Sequence, residues 1–301
     1  MGEGRRNECW PFSRGSRAYA DAEGHQKAKG EAAMTSALLV ERDERVLTLT
    51  MNRPEAKNAM NPEMLCRLAD AWEQANSDDD IRVVILTGAE GAFCAGADLD
   101  KLVSKMMQRT PAENEFEQRC LDNPGVIFQG LLRGYRLSKP LIAAVEGPCI
   151  AGGTEILQTT DIRVAGEGAT FGISEVRWGL FPQGGSTVRL RRQIPYTWAM
   201  EMLLTGDHYS AADALRMGLI GRVVPNGEAL ATAREIAARI AANGPVAVRK
   251  IKQSVQETEY FPEKEALDIE FRLGMEVYAT EDAREGPRAF KEKRAPQFKG
   301  R

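Results

Sequence analysis

Within residues 140–165, a carboxylate follows a pair of glycines with one residue between them. An apolar run over 141–145 predicts a buried strand, and Gly152 and Gly153 then precede the predicted first helical turn, which contains Glu155. Glycines at such a position leave outward N–H groups with the positive end of the helix dipole behind them. This arrangement suits an oxygen that gains negative charge during a reaction. The residue types thus indicate an oxyanion donor at Gly152 beside an acid or base at Glu155.

These residues also have a purely structural interpretation, in which the glycines allow close backbone packing and Glu155 is a solvated side chain. A second loop of small residues, Gly91–Leu99, poses the same choice. A backbone that lies flat against a ligand needs small residues, but glycine-rich turns between a strand and a helix are common. Residue types alone leave both alternatives open.

Composition excludes several classes of protein. The chain has 301 residues, of which 43% are hydrophobic, enough for a substantial core. Its net charge of −3 gives no reason to expect nucleic acid or an anionic membrane as the main partner. Five scattered cysteines without a CxxC motif indicate reduced thiols and a cytoplasmic location. No apolar stretch has the length of a membrane span. The only histidines, His25 and His208, have no metal-ligand spacing, so we expect no metal.

The pattern of apolar residues predicts an α/β core followed by helices. Residues 1–33 lack Leu, Ile and Val, which favours a disordered N-terminal extension. Residues 34–225 mix strands with helices, whereas 226–301 are purely helical in pattern. The more detailed expectations are a hairpin over 37–42 and 46–52, a helix that begins at Asn61-Pro62, strands over 81–86 and 170–172, a mobile loop or frayed helix over 103–124, a helix over 126–137, and a second glycine-rich helix entry over 179–187.

Six ordered motifs resemble the crotonase (enoyl-CoA hydratase/isomerase) superfamily. They are MNRPEAKNAM at 51–60, FCAGADL at 93–99, AAVEGPCIAGGTEI at 143–156, FGISEV at 171–176, GRVVP at 221–225 and EGPRAFKEKRAPQF at 285–298. The resemblance covers Leu38 to Phe298. It implies a crotonase-like ββα superhelix, or spiral, with a C-terminal helical region that mediates trimers, often paired into hexamers.

The resemblance also implies a set of site residues. The two oxyanion donors are the backbone N–H groups of Ala97 and Gly152, and the two acids of hydratases correspond to Glu155 and Glu175. Four residues depart from the common pattern without touching the predicted donors or acids: Pro148, Ala151, Gln183 and Ser186. The sequences of these motifs most resemble those of bacterial hydratases for sterol side chains or other bulky acyl groups.

The implied activity is that of a hydro-lyase that adds water to a trans-2-enoyl-CoA and gives a 3-hydroxyacyl-CoA, as in fatty-acid or sterol side-chain β-oxidation. Two fixed N–H donors would stabilise the enolate oxygen of the thioester. Two nearby carboxyl groups push their pKa values apart, so one works as base and the other as acid. We assign Glu155 mainly to activating water and Glu175 mainly to protonating Cα.

Coenzyme A enters as part of the substrate, and no separate cofactor is expected. The residues that the resemblance assigns to it are Ala56, Lys57, Ala95, Ala97, Asp98, Leu99 and, from a neighbouring subunit, Phe290 and Lys293. Lys57 is alternatively an exposed lysine beside a helix, and Phe290 alternatively interface core. Trp178 and Phe181 either line the acyl pocket or pack in the core, and the core interpretation is slightly favoured.

Other functions fit the residues less well. A serine protease of the related ClpP type would need His208 as its base, and no GxSxG motif accompanies it. An enoyl-CoA isomerase can dispense with one of the two glutamates, so the presence of both favours hydration. A catalytically silent acyl-CoA binder would be expected to have lost Glu155 or Glu175, and an RNA-binding role has no support in the composition.

Overall fold

The computed structural model of the protein describes residues 36–301, and the extension predicted over 1–33 lies outside this part of the chain. Its strands are β1 (Leu38–Asp43), β2 (Val46–Met51), β3 (Val83–Gly88), β4 (Leu141–Val145), β5 (Pro148–Ile150), β6 (Ile162–Gly166), β7 (Thr170–Gly172), β8 (His208–Ser210) and β9 (Arg222–Val224). Its helices are α1 (Pro62–Ser77), α2 (Lys105–Gln108), α3 (Glu115–Asp122), α4 (Gly125–Gly130), α5 (Gly152–Leu157), α6 (Ser186–Gln193), α7 (Tyr196–Thr205), α8 (Ala211–Arg216), α9 (Ala229–Ala241), α10 (Pro245–Thr258), α11 (Glu263–Tyr278) and α12 (Glu281–Lys291).

A six-stranded sheet in the order β1-β2-β3-β4-β6-β9 forms the framework of the described chain. The β1–β2 hairpin is antiparallel, and the remaining pairs are parallel. Residues on one face of β3 and β4, such as Val84 and Ala143, pack in a core with α1. Residues on the other face, such as Val83 and Ile142, pack with α9. Covering on both faces explains why these strands are continuous apolar runs.

A second sheet of three short strands, β5-β7-β8, carries the regions of greatest chemical interest. Strand β5 leads through Ala151 into α5, and it pairs in parallel with β7. Strand β7 pairs antiparallel with β8, with Gly172 opposite His208. The chain segments after β5 and β7, which contain Glu155 and Glu175, therefore leave neighbouring strands in the same direction.

Helix α1 begins as the sequence predicts. The Asn61 side chain accepts a hydrogen bond of 2.9 Å from the backbone N–H of Met64, and Pro62 occupies the first turn. The apolar face of the helix is fully buried, and the Trp72 indole donates to the carbonyl of Gly130 at 3.0 Å. This contact fixes α4 against α1.

Two expectations about the middle of the chain need correction. Residues 103–124 are neither one loop nor one frayed helix: a π-helical segment, Leu99–Ser104, continues into α2, residues 109–114 form a loop, and α3 follows. The sequence hid α3 because only Cys120 of its residues is buried, so it lacks an apolar stripe. The helix predicted over 126–137 is shorter, since α4 ends at Gly130, whose packing against the Leu65 backbone leaves no room for a side chain.

After β9 the chain is helical, in agreement with the predicted pattern. Helices α10 to α12 leave large apolar side chains exposed on the single chain, among them Ile251, Phe271 and Phe290. No helix within residues 36–301 is long and apolar enough to cross a membrane.

Candidate active site

The backbone amides of Ala97 and Gly152, the predicted oxyanion donors, come from separate turns and lie close together. A Cβ built on Gly152 would lie 3.5 Å from the backbone N of Ala97, and a Cβ built on Gly96 would lie 3.4 Å from the backbone N of Gly152. Neither N–H donates a hydrogen bond to another residue within 36–301. Two close, unpaired N–H donors are the arrangement expected of an oxyanion site, and the space beside them is called the oxyanion recess below.

An unusual backbone conformation at Ala151 turns the chain into this recess. Its φ of 51° and ψ of −123° lie in a region that normally requires glycine. Its N–H donates to the carbonyl of Gly172 at 2.8 Å, which ties the turn to β7. The strain falls one residue before the Gly152 donor, so the turn is held by its surroundings rather than by its own preference.

Glu155 is buried, with only 4% of its surface exposed. Its Oε2 accepts a hydrogen bond of 2.9 Å from the backbone N–H of Gly184, and its Oε1 accepts one of 3.2 Å from the backbone N–H of Ser186. Burial raises the pKa of Glu155, whereas the donors from Ser186 and Gly184 oppose this rise. The interpretation of Glu155 as a solvated surface residue is therefore wrong. The carboxylate is instead pre-ordered by amide donors that stabilise its ionised form.

The loop that supplies these amides is itself fixed by two arginines. Arg189 donates to the carbonyl of Gly184 at 3.1 Å and to that of Leu132 at 2.9 Å. Arg133 donates to the carbonyl of Gln183 at 2.6 Å. The glycine-rich run 179–187 is visible in the sequence, but its pairing with Glu155 crosses about 30 residues of chain, and no local pattern indicates it.

Glu175 opens a short 3₁₀ turn, Glu175–Trp178. Burial and the neighbouring negative charge of Glu155 raise the pKa of Glu175 to about 7. Its Oε2 is buried and has no hydrogen-bond partner within residues 36–301. The two predicted acids therefore interact electrostatically, and their environments differ. Two amides of another loop stabilise the charge on Glu155, whereas the charge on Glu175 is stabilised by its own backbone N–H and opposed by burial and by Glu155.

The loops predicted to contact coenzyme A lie side by side. The backbone N–H of Ala95 donates to the carbonyl of Lys57 at 3.0 Å, and the Lys57 side chain is exposed, with Ala56 preceding it in a 3₁₀ turn. The carboxylate of Asp98 is engaged elsewhere: it pairs with Arg53 at 2.9 Å and caps the segment that begins at Leu99. The backbone of Asp98 is engaged as well, because its N–H donates to the carbonyl of Met60 at 2.9 Å and its carbonyl accepts from the N–H of Leu102 at 3.0 Å.

The aromatic residues flagged in the sequence are all exposed on the single chain. Trp178 is 69% exposed and Phe181 65% exposed, so the interpretation that they pack in the core is wrong. The reason is that the turn Glu175–Trp178 contains no buried residue and the chain there runs along the surface. Phe290 near the end of α12 is 87% exposed, and Lys293 follows it just beyond the helix. The structure thus leaves these side chains free for a ligand or another subunit.

His208, which the protease alternative needs as a base, lies 2.7 Å through Nε2 from the hydroxyl of Ser174. Ser174 is buried, and its hydroxyl also lies 3.3 Å from the carbonyl of Gly206. No carboxylate hydrogen-bonds to His208 within the described part of the chain, so a complete Ser-His-Asp triad does not form there. The same part of the chain contains no cluster of side chains able to hold a metal ion.

Comparison with known proteins shows close similarity to enoyl-CoA hydratases. The family described as enoyl-CoA hydratase/isomerase matches residues 41–301. Enoyl-CoA hydratase EchA19 of Mycobacterium tuberculosis is 55% identical, with 87% of this chain and 96% of that protein covered. The 2,3-dehydroadipyl-CoA hydratase of Escherichia coli is 36% identical, with 88% and 100% covered.

Solved structures agree with this comparison over most of the chain. An enoyl-CoA hydratase from Mycobacterium tuberculosis superposes with a TM-score of 0.78 at 38% identity, covering 89% of this chain and all of that chain (100%). One from Bacillus anthracis gives a TM-score of 0.79 at 35% identity, with 88% and 100% covered. These similarities confirm the predicted crotonase-like fold.

Proposed function

The chain belongs to the enoyl-CoA hydratase/isomerase family, and from this premise we propose that it adds water to a trans-2-enoyl-CoA and forms a 3-hydroxyacyl-CoA. The observation that carries the proposal is the different environment of its two acids, of which Glu155 is buried and Glu175 is half-buried. Glu155 accepts two backbone N–H donors, and the pKa of Glu175 is raised to about 7 by burial and by the charge of Glu155. One acid is prepared to be ionised and the other to hold a proton.

The thioester carbonyl binds in the recess between the N–H groups of Ala97 and Gly152. As water adds to Cβ, negative charge moves onto the thioester oxygen, and both donors strengthen their hydrogen bonds to it. Because they are already oriented, little reorganisation opposes the reaction. Losing one such donor typically costs about 10²–10³ in rate.

The two glutamates move the protons. Glu155 takes a proton from water as the water oxygen bonds to Cβ, and Glu175 delivers its proton to Cα. The product gains one hydroxyl and one hydrogen, while Glu155 is left protonated and Glu175 ionised. Proton exchange with solvent restores the starting state. The reaction uses only carboxyl and amide groups of this chain, so we propose that coenzyme A is part of the substrate and that no separate cofactor takes part.

The nucleotide of coenzyme A lies, in this proposal, against the paired loops at Ala56-Lys57 and Ala95–Leu99. The exposed Phe290 and Lys293 contact it from a neighbouring subunit of a trimer or of a dimer of trimers. We also propose a cytoplasmic location, because the four cysteines within residues 36–301 are all free thiols. The pathway is the β-oxidation of fatty acids or sterol side chains.

The decisive experiment follows the loss of enoyl-thioester absorbance with three substrates: crotonyl-CoA, a long-chain enoyl-CoA and a sterol-derived enoyl-CoA. The wild-type protein is expected to hydrate at least one of them, and Glu155→Gln and Glu175→Gln are each expected to be severely slowed. Unchanged turnover in both variants would disprove the mechanism. Chromatography separates the 3-hydroxyacyl-CoA from a 3-enoyl-CoA, and accumulation of the latter alone would identify an isomerase.

A further inference from the structure

The turn that carries Glu175 is tied to the segment that enters β8. The Ser174 hydroxyl, one residue before Glu175, lies 2.7 Å from Nε2 of His208 and 3.3 Å from the carbonyl oxygen of Gly206. Two residues further on, the Arg177 guanidinium donates to the carbonyl of Thr205 at 3.3 Å and pairs with the Asp207 carboxylate. The turn is thus held on both sides of Glu175.

The Ser174 hydroxyl can form both of its hydrogen bonds, to the Gly206 carbonyl and to Nε2 of His208, in only one arrangement of protons. A serine hydroxyl has a single proton, and here that proton is donated to the carbonyl of Gly206, since a carbonyl only accepts. His208 must then donate its Nε2–H to the Ser174 oxygen. Burial and the positive charge of Arg177 lower the pKa of His208, while the negative charge of Asp207 opposes this, and the lowered pKa favours the neutral ring.

The histidine ring also fits closely against the strand that leads to Glu175. A Cβ built on Gly172 would lie 2.6 Å from Cδ2 of His208, so β7 has room for the ring only because residue 172 is glycine. A Cβ built on Gly206 would lie 2.9 Å from Cγ of Arg177. The ring and the turn therefore pack at backbone contact, which leaves little freedom for the Ser174–Glu175 step.

The carboxyl group of Glu175 interacts with the backbone N–H of its own residue. Its Oε2 has no partner within residues 36–301. The location of the carboxyl group therefore depends on the backbone of the turn. A displacement of about 1 Å at a reacting group can cost about 10²-fold in rate. An anchor one residue away is well placed to control this distance.

We propose that His208, acting through the hydroxyl of Ser174, is a positioning residue that fixes Glu175 for proton delivery. The inference rests on the proposed function, because it assumes that Glu175 is the acid. It goes beyond that function by giving a role to a side chain that touches neither the oxyanion recess nor Glu155 in the described contacts.

The test compares His208→Ala, His208→Gln and Ser174→Ala with the control Ser210→Ala. Glutamine keeps an N–H donor at a reach similar to Nε2. Ser210 lies on the same strand and caps α8 by accepting from the N–H of Asp213 at 3.1 Å, so its variant is destabilised without loss of the anchor. The readouts are kcat, KM, the pH profile of kcat and the thermal midpoint.

We expect His208→Ala and Ser174→Ala to lower kcat about tenfold, with KM within about twofold of wild type. His208→Gln should recover most of the loss. A double variant that combines His208→Ala with Ser174→Ala should be no slower than either single variant, because both substitutions break the same contact. A better-solvated Glu175 loses its proton more readily, so the alkaline fall in kcat should move to lower pH.

Unchanged kcat and pH profile in His208→Ala and Ser174→Ala would overturn the inference, as would an equal loss in Ser210→Ala. Should His208→Ala fail to fold, Ser174→Ala and His208→Gln still decide the question. Glu175→Gln separates this result from a failure of the proposed function. If Glu175→Gln is inactive while the anchor variants resemble wild type, only the positioning role is wrong; if Glu175→Gln is fully active, the proposed function itself is wrong.

Discussion

The backbone N–H of Gly184 lies 2.9 Å from Oε2 of Glu155, and a Cβ built on Gly184 would lie 2.5 Å from the same oxygen. The loop therefore reaches the carboxylate only because residue 184 has no side chain. Its amide and that of Ser186 stabilise negative charge where burial alone favours the protonated acid. Burial still raises the pKa of Glu155 overall, and the two amides limit that rise in the direction that the proposed base requires.

Gly184→Ala should lower kcat at least about tenfold and leave KM nearly unchanged, because the methyl group displaces Glu155 or its amide donor. Gly184 does not have a left-handed φ, so alanine is not strained there and the effect is confined to the contact. Steady-state hydration kinetics provide the measurement. Gly221→Ala is the matched control, since its new Cβ would meet only the Arg163 carbonyl, at 3.8 Å. Equal kinetics for the two variants would contradict the expectation.

The pH dependence of hydration follows from the two acids. Glu175 must be protonated to act, and its pKa is raised to about 7, so kcat should fall as the pH rises through about 7. Glu155 must be ionised, and burial raises its pKa, so kcat should also fall on the acidic side. The measurement is kcat between pH 5 and pH 9 at saturating substrate. In dehydration the required protonation states are reversed. A profile that is flat across neutral pH would argue against this assignment.

Glu175 should also destabilise the protein at alkaline pH. A folded pKa of about 7, above the ordinary 4.5, means that its contribution to stability is complete below pH 4.5 and is lost as the pH rises through 7. The full shift corresponds to at most about 3 kcal/mol, less after solvent screening. Glu175→Gln is therefore expected to unfold at higher denaturant concentration than wild type at pH 8.5 and at a similar concentration at pH 4.5. If wild type instead unfolded at the higher denaturant concentration at pH 8.5, ionised Glu175 would not destabilise the folded protein.

Gly152→Ala should abolish most activity by filling the oxyanion recess. Its Cβ would lie 3.5 Å from the N of Ala97, in the space assigned to the thioester oxygen, and 2.7 Å from Cε of Met60. The expected loss in kcat is about 10²–10³-fold. The double variant Gly152→Ala with Met60→Ala removes the clash with Met60 but keeps the methyl group in the recess. It should remain inactive; recovery of activity would place the defect at Met60 instead.

The contribution of Phe290 from a neighbouring subunit can be tested by mixing two variant chains, one with a raised KM and one that is severely slowed. Phe290→Ala should raise KM for the coenzyme A thioester with little effect on thermal stability, since the side chain is 87% exposed on the single chain. Re-assembly of Phe290→Ala with Glu155→Gln should restore activity at low substrate, because each intact site then receives Glu155 from one chain and Phe290 from the other. No restoration in mixed oligomers verified by mass spectrometry would mean that Phe290 does not act between subunits.

The sequence predicts most of the framework because its signals are local. The Asn61-Pro62 start of α1 and the apolar run of β4 each depend on a few adjacent residues, and both are confirmed. The sequence leaves helix and loop open where α3 forms, because only Cys120 among the residues of this helix is buried. Trp178 was assigned to the core by residue type, but burial depends on what lies opposite, which a single sequence does not show.

The candidate site divides in the same way. Glu155 stands out as a carboxylate in an apolar helix start, and it is indeed buried. The amides of Gly184 and Ser186 that hold it, and the bond from His208 to Ser174, join parts of the chain about 30 residues apart. Contacts of that span depend on tertiary packing. The catalytic roles themselves remain predictions for the kinetic experiments above.

The strained backbone of Ala151 lowers the stability of the folded protein, and a substitution could relieve that strain. Its backbone has φ of 51° and ψ of −123°, a conformation that typically costs a residue with a side chain about 1–3 kcal/mol. Substitution by glycine would release most of that energy, offset by the greater freedom glycine has in the unfolded chain. Engineering for higher thermal stability could therefore begin at Ala151, which lies beside the proposed active site and contributes no reacting group.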